Sequence, residues 1–484
     1  MKVLFVVSEC VPYAKSGGLA DVAGSLPKEL KSLGTDVRVI LPKYGQISDS
    51  LKEKMKKKKE FTVSIGWRNQ YCGIEEIFED GITYYFIDNE YYFNREGLYG
   101  YFDDGERFSF FTRAVLESIG EIGFYPDILH CHDWHAGMVP FLLKIEYQDR
   151  PGYSFIRTVF TIHNLQFQGV FPKNVMTDLL GIDEWYFQPE YLEFYGNINF
   201  MKAALLSSDY ITTVSPTYRN EILTPYFAEK MEGVLNSRKG DLVGIINGID
   251  DQLYSPLDGE ERIIPFDTGD LKGKTETKKG LQKSLGLQVD EGIPIVSIIS
   301  RLTKQKGLDL VRCVFHEMME EKVQFVLLGT GDYEFEQFFR EMESHYKDKV
   351  RVIVGFNEQL AKQIYAASDI FLMPSKFEPC GLGQLIAMRY GALPLVRETG
   401  GLNDTVDSYN EVTGEGTGFS FSHFNAHDML FTYRRALSIY TNEKETWEDI
   451  VRTAMSKDYS WAKSAFKYNK LYAKLTSRSE SHVF

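Results

Sequence analysis

The 484-residue chain has five cysteines, Cys10, Cys72, Cys131, Cys313 and Cys380, and no two stand at a paired spacing. An odd, scattered set reads as reduced thiols, which excludes a disulfide framework and points to the cytoplasm. No apolar run reaches the about eighteen residues that a membrane helix needs, so no membrane partner is expected. No leader peptide is expected either, because Met1 runs straight into a strand-like segment. A surplus of positive charge is missing as well: 54 Lys and Arg face 68 Asp and Glu, a net charge of −14. That argues against a nucleic-acid partner, which needs a basic face, but leaves a few local cations able to bind a small anion. Neither G-x-G-x-x-G nor G-x-x-x-x-G-K-[ST] occurs, so the dinucleotide and P-loop fingerprints do not apply.

What is present is a series of short, unbroken, β-branched apolar runs. In the first half they are 2–8, 36–42, 127–132, 157–163, 210–215 and 242–248. In the second half they are 294–300, 323–329, 350–356, 369–375 and 392–398. Continuous apolarity means strands buried on both faces, and helical periodicity between them makes repeated βαβ units. The length asks for more than one core. The expected fold class is therefore α/β, with two doubly wound domains joined near residue 250 across a linker-like segment, 251–290. A last stretch sets Trp461, Ala465, Tyr468, Leu471, Tyr472 and Leu475 on one stripe of a helix, which must pack on something. The lysine-rich run 52–60 reads as a solvated loop or helix face.

Chemistry-bearing residues gather where strands hand over to helices. After the first strand come Lys15, Ser16, Gly17 and Gly18, then a helix; glycines and a helix N-terminus suit a phosphate. The second half echoes this with Arg301, Lys304, Lys306 and Gly307, where an arginine fork and a lysine point charge suit a diphosphate. Two such loops suggest a ligand held in a cleft between facing sheets, outside the strand ends. The stretch 130–137 packs His130, Cys131, His132, Asp133, Trp134 and His135 together. It resembles a metal nest, but its aspartate stands one place early relative to the H-x-H-x-D-H of metallo-β-lactamase-type hydrolases. The alternatives are a loop lining a sugar or nucleotide site and a plain structural role. His163 and Asn164 close another strand, where a satisfied core histidine and a cleft position are both open readings. Glu378 and Cys380 precede Gly381-Leu382-Gly383 at a helix start, where a carboxylate grips hydroxyls and N–H groups hold phosphate.

Side by side, "KSGGLADVAGSLP", "HDWHAG", "TIHNLQFQG", "TVSPTY", "GIINGID", "SRLTKQKGLDL", "LGTGD", "PSKFEPCGL", "QLIAMRYG" and "TGGLNDTV" resemble the starch and glycogen synthase family of retaining GT-B glycosyltransferases, family 5, in its bacterial, ADP-glucose-using branch. The motifs run in family order from near the start to beyond residue 400. The resemblance implies two Rossmann-like domains: 1–246, on the acceptor-glucan side and catalytic; and 247–458, holding the nucleotide sugar. It also implies that the helix of 459–484 returns to the N-terminal domain. The implied reaction moves glucose from ADP-glucose to the non-reducing end of an α-1,4-glucan with retention, and calls for no cofactor and no metal. A homo-oligomer is compatible with all of this.

By the same resemblance, Lys15, His163, Arg301, Lys306 and Glu378 would be catalytic. Lys15, Arg301 and Lys306 would face the donor diphosphate, with His163 near the transferred glucose and Glu378 and Cys380 on its hydroxyls. Gly17, Gly18, Asp21, Asn247, Gly329, Gly381, Leu382 and Gly383 would complete the donor site. Asp133, Trp134 and Tyr99, the last in the tyrosine-rich 90–104, would meet the acceptor, whose rings stack on aromatic faces. Three departures stand out. Ile386 occupies the place of a second glutamate found in other retaining branches. Gly383 stands where the bacterial pattern has threonine. A loop that is commonly glycine-rich reads "FAEKMEGV" at 227–234.

Overall fold

The computed structural model describes residues 1–259 and 262–480 and divides the chain into two compact units, Met1–Gly248 with Trp461–Phe484, and Ile249–Ser460. The segment 251–290 is no linker. It belongs to the second unit, where Lys274, on the helix Lys272–Ser284, donates to the carbonyls of Ala366, Ser368 and Tyr390 at 2.8–2.9 Å.

Unit 1 is built on β1 (Lys2–Val6), β2 (Asp36–Pro42), β3 (Lys56–Ile65), β4 (Arg68–Glu79), β5 (Ile82–Asp88), β6 (Ile128–His132) and β7 (Arg157–Ile162). A small antiparallel sheet follows, of β8 (Val170–Pro172), β9 (Glu193–Phe194) and β10 (Asn197–Asn199), and then β11 (Tyr210–Thr213) and β12 (Leu242–Gly244). The large sheet runs β12-β11-β7-β6-β1-β2-β5-β4-β3. It is parallel from β12 to β5, as unbroken apolar runs require, and Val3, Leu4, Phe5 and Val6 are wholly buried.

β3 and β4 were not legible as βαβ units: they form an antiparallel extension beyond β5. The lysine-rich run is correspondingly neither loop nor helix face along most of its length. After the short helix Asp49–Lys52 it becomes the first half of β3, an edge strand. Lysines on an edge hinder pairing with another chain. Their charge is answered locally, Lys54 by Glu79, Lys57 by Glu60, Lys58 by Glu76 and Lys59 by Glu121.

Unit 2 is wholly parallel. Its strands β13 (Ile295–Ile299), β14 (Gln324–Gly329), β15 (Val350–Val354), β16 (Ile370–Met373), β17 (Leu393–Arg397) and β18 (Phe419–Phe421) lie in the order β15-β14-β13-β16-β17-β18. In each unit the winding reverses beside the first parallel strand, between β1 and β6 and between β13 and β16. Loops leaving those neighbours diverge to opposite sides and open a crevice at the strand C-termini.

The helix Trp461–Glu480 belongs to unit 1 and packs on the helix Gly18–Ser32. All six residues of its predicted stripe are buried. Tyr472 reaches furthest in, its hydroxyl 2.6 Å from His130 Nδ1, and Asn469 meets Thr35 at 3.2 Å. Tyr472→Ala is expected to cost about 3–5 kcal/mol through the cavity it leaves. Tyr472→Phe, which removes only the hydrogen bond, is expected to cost about 1–3 kcal/mol. Urea unfolding followed by a probe in unit 1 separates the two.

Candidate active site

In unit 1 the crevice between β1 and β6 is built by carboxylates that hold neighbouring loops. Beyond β1 the chain reaches Ser8 and Glu9 and then turns through the Cys10–Ala14 bridge to Lys15. Glu9 is 4% exposed, and its carboxylate accepts the Ser16 N–H at 2.5 Å. Burial pushes its pKa up, while the N–H groups of Ser16 and Gly17 pull it back. The loop therefore differs from a free phosphate cradle: its leading amides turn inward onto Glu9. Lys15 is likewise engaged, 2.7 Å from Asp21 in the first turn of the helix Gly18–Ser32. Gly17 is extended, and a Cβ there would stand 3.7 Å from Glu9 Oε1.

Asp133 repeats the device one strand over. At the end of β6 it takes a positive φ of +56°, its N–H donates to Thr161 O, and its Oδ1 accepts the His163 N–H at 2.8 Å. Burial pushes the Asp133 carboxyl up to about 7, against the pull of the His163 and Asn164 amides. Asp133 thus braces the end of β7, a task that its place in the sequence did not reveal. His163 is half-buried, with Nε2 2.9 Å from His132 Nδ1. Asn247, 5% exposed, has an Oδ1 without a hydrogen-bond partner among the described residues.

The ring nitrogens of the histidines of 130–137 go to separate partners. His130 Nε2 lies 2.6 Å from Thr161 Oγ1 and its Nδ1 meets Tyr472. His135 Nδ1 lies 3.2 Å from Ser8 Oγ, which also accepts from the Tyr99 hydroxyl at 2.8 Å. Among the described residues no group of three His, Cys, Asp or Glu is placed to hold a metal ion. Trp134 departs from the expected stacking platform. It is 8% exposed, stacks on His135 at 4.0 Å, and is packed by Phe108, Phe171 and the close backbone of Gly169. Enclosed in this way, the indole offers no free ring face. Tyr99, half-buried, stands against His135 at 4.2 Å.

The tyrosine-rich segment is fixed by Arg107, which is wholly buried and was not singled out in the sequence. Its guanidinium donates to Tyr92 O, Leu98 O and Asp104 Oδ1 at 2.6–3.1 Å. Tyr92 and Phe93 are thereby core residues, and Tyr91 and Phe102 are left exposed. The loop 227–234 carries left-handed residues at Glu229 and Lys230, and Gln168 holds it by donating to Glu229 O at 3.0 Å.

In unit 2 the matching crevice lies between β13 and β16. Arg301 is exposed just past β13. Lys304–Lys306 form a 3-10 turn that ends on Gly307, whose φ is +71° and where a Cβ would fall 1.9 Å from Pro374 O. Only glycine fits there, and the close approach sets Lys306 beside the loop from β16. Lys306 Nζ lies 2.7 Å from Glu378 Oε2, an oxygen that also accepts the Ser375 hydroxyl at 2.9 Å. Arg397 holds this loop, donating to the carbonyls of Ser375 and Lys376.

The remaining expected donor residues of unit 2 lie on the loop leaving β16 and at the end of β14. Gly381 has a φ of +73°, and Gln384 binds the carbonyls of Cys380 and Gly381. Leu382 caps the helix Gly383–Arg389, and a Cβ on Gly383 would meet the Phe371 ring at 3.0 Å, so a side chain here must push into the core. Ile386 is a core residue. Gly329 ends β14 so close to β13 that a Cβ would lie 1.9 Å from Ser300 O, and Glu336 accepts the next loop's Gly331 N–H at 2.9 Å. The structure therefore gathers Lys15, Gly17, Gly18, Asp21, Asp133 and His163 in one unit and Arg301, Lys306, Gly329, Glu378, Cys380, Gly381, Leu382 and Gly383 in the other. Glu9, Ser375 and Arg397 are supporting residues that sequence reasoning did not assign, and His132, read there within a metal nest or a sugar-lining loop, stands against His163. The one signal for Glu9 was a charge closing an otherwise unbroken apolar strand.

Known proteins agree with this architecture. Residues 2–237 match the family described as starch synthase catalytic domain, and 283–450 match glycosyl transferases group 1. A glycogen synthase of Anoxybacillus flavithermus is 62% identical over 100% of both chains, and one of Geobacillus stearothermophilus is 58% identical over 99% of both. The catalytic domain of starch synthase IV from Arabidopsis thaliana, solved bound to ADP and acarbose, has a TM-score of 0.92 and 35% identity, covering 98% of this chain and 99% of that one. The two Rossmann-like units are thus those of the GT-B class. The chain belongs to the starch and glycogen synthase family and is a glycosyltransferase of glycogen synthesis.

Proposed function

We propose that the donor is ADP-glucose, that the acceptor is the non-reducing end of an α-1,4-glucan, and that the anomeric configuration is retained. The observation that carries this reading is the Lys306–Glu378 pair at the β13/β16 crevice, with Arg301 exposed on the same loop as Lys306. A departing ADP gathers charge on its phosphate, so fixed cations aimed there supply the largest catalytic contribution. Arg301 and Lys306 take this role, and Lys15 is a further cation of the donor set. Lys306 rests on Glu378; a diphosphate competes for the lysine and leaves the carboxylate to accept sugar hydroxyls. The ADP bound to the starch synthase relative supports the nucleotide, and its acarbose supports a glucan-like acceptor.

In unit 1, His163 meets the transferred sugar, with Asn247 close to the donor and Tyr99 on the acceptor side. Burial holds His163 down to about 3, so it acts as a neutral group. The bond from C1 to the phosphate oxygen breaks with its electron pair going to ADP. The acceptor hydroxyl attacks from the same face, and its proton passes to the leaving phosphate. This front-face course gives retention without a covalent sugar–enzyme intermediate.

Nucleotide release is the test, from ADP-glucose and UDP-glucose, each with and without glycogen and with EDTA present. Glycogen-dependent ADP release in EDTA is the expected result, and release that ignores glycogen would make the protein a hydrolase and overturn the reading. Lys306→Ala is expected to lower turnover by about 10²–10³ at saturating donor, the usual loss for one charge-stabilising donor. Near-normal turnover would remove Lys306 from the chemistry. Asp133 gives a pH prediction. Its folded-state pKa of about 7 lies above the ordinary 3.8, so the folded protein binds the extra proton and stability falls as pH rises between those values. Asp133→Asn removes that slope, gaining at most about 4 kcal/mol on wild type between pH 4 and pH 8. Thermal melts across that range measure it.

A further inference from the structure

Three histidines crowd 130–137, and the proposed chemistry uses none of them. The geometry gives His132 a task. It is wholly buried at the end of β6, its ring against Phe5 at 5.1 Å and His130 at 4.1 Å. Its Nδ1 lies 2.9 Å from His163 Nε2, and its own Nε2 is buried with no hydrogen-bond partner among the described residues. Two imidazole nitrogens at that separation share one proton, so one ring donates and the other accepts. Burial lowers the pKa of both rings, which keeps the pair neutral.

Two arrangements of a neutral pair exist. If His163 donated, the remaining proton of His132 would sit on its buried Nε2, an N–H with nothing to bind. If His132 donates, only a lone pair is left unmatched there. An orphaned buried N–H is the rarer and costlier of the two.

We propose that His132 is a positioning residue that fixes the tautomer of His163. The Nδ1–H of His132 donates to Nε2 of His163, and His163 therefore carries its own proton on Nδ1, as a neutral donor to a hydroxyl oxygen of the transferred sugar. The second half of this statement rests on the reading that His163 meets the sugar; the first half does not. His132→Phe keeps a flat ring and removes the donor. His132→Asn places an amide N–H close to where Nδ1–H stood.

The experiment is a two-bond nitrogen–proton NMR spectrum of the full-length protein labelled with ¹⁵N-histidine, with His163 assigned by its loss in His163→Gln. The wild type is expected to show His163 protonated on Nδ1. His132→Phe is expected to mix the two tautomers of His163 and to lower kcat about tenfold, the scale of one hydrogen bond, with KM for the nucleotide sugar little moved. His132→Asn is expected to restore the Nδ1–H form and most of kcat. A wild-type His163 protonated on Nε2 overturns the proposal. So does a folded His132→Phe protein with the tautomer of His163 unmoved. If His132→Phe does not fold, the wild-type and His132→Asn spectra decide in the same way. Normal kcat in His163→Gln would instead defeat the contact with the sugar, and the spectrum alone would then judge the tautomer.

Discussion

A parallel sheet sends every strand out at the same edge, and the backbone that leaves it carries N–H groups that no ladder satisfies. How those amides are matched governs the rest of this protein. At the ends of β1 and β6 the answer is a carboxylate from one strand that accepts the amides of a neighbouring loop, Glu9 for Ser16 and Asp133 for His163. In unit 2, Glu336 does the same for Gly331. A carboxylate has two oxygens and can take more than one donor at once: the amides of Ser16 and Gly17 both pull the pKa of Glu9 down, and Glu336 accepts the Thr330 hydroxyl beside the Gly331 amide.

The same economy governs the cations at the crevices. Lys15 rests on Asp21 and Lys306 on Glu378, so each of these two ammonium groups has a carboxylate beside it. Such a pair is held by geometry rather than by large net stability, because the cost of taking the charges from water offsets much of their attraction. Gly307 makes this work mechanically: with no Cβ, its backbone can sit against Pro374 and bring the lysine to the carboxylate.

The parallel strands, the stripe of the last helix and the order of the glycine- and lysine-bearing loops were all legible in the sequence, because each is a matter of local pattern. Val3–Val6 need only be apolar in succession to demand burial on both faces, and Trp461–Leu475 need only repeat at helical spacing. Runs that mislead did so for a physical reason. The lysines of 56–59 give no periodic apolar signal because an edge strand exposes both its faces there, so an extended segment looks like a loop. Trp134 looks like a platform for sugar, but Phe108, Phe171 and Gly169, distant in the chain, close around it.

By itself the sequence determined two doubly wound units, the strand ends at which chemistry gathers, and the family to which the motifs point. Tertiary structure alone decided which of those residues meet one another. His130 and His132 share one face of β6 with their rings 4.1 Å apart, and His135 lies beyond the strand, yet their ring nitrogens go to Thr161 and Tyr472, to His163, and to Ser8. A hydrogen bond depends on where two side chains end in space, over separations such as the 342 residues between His130 and Tyr472, and no local pattern carries that distance.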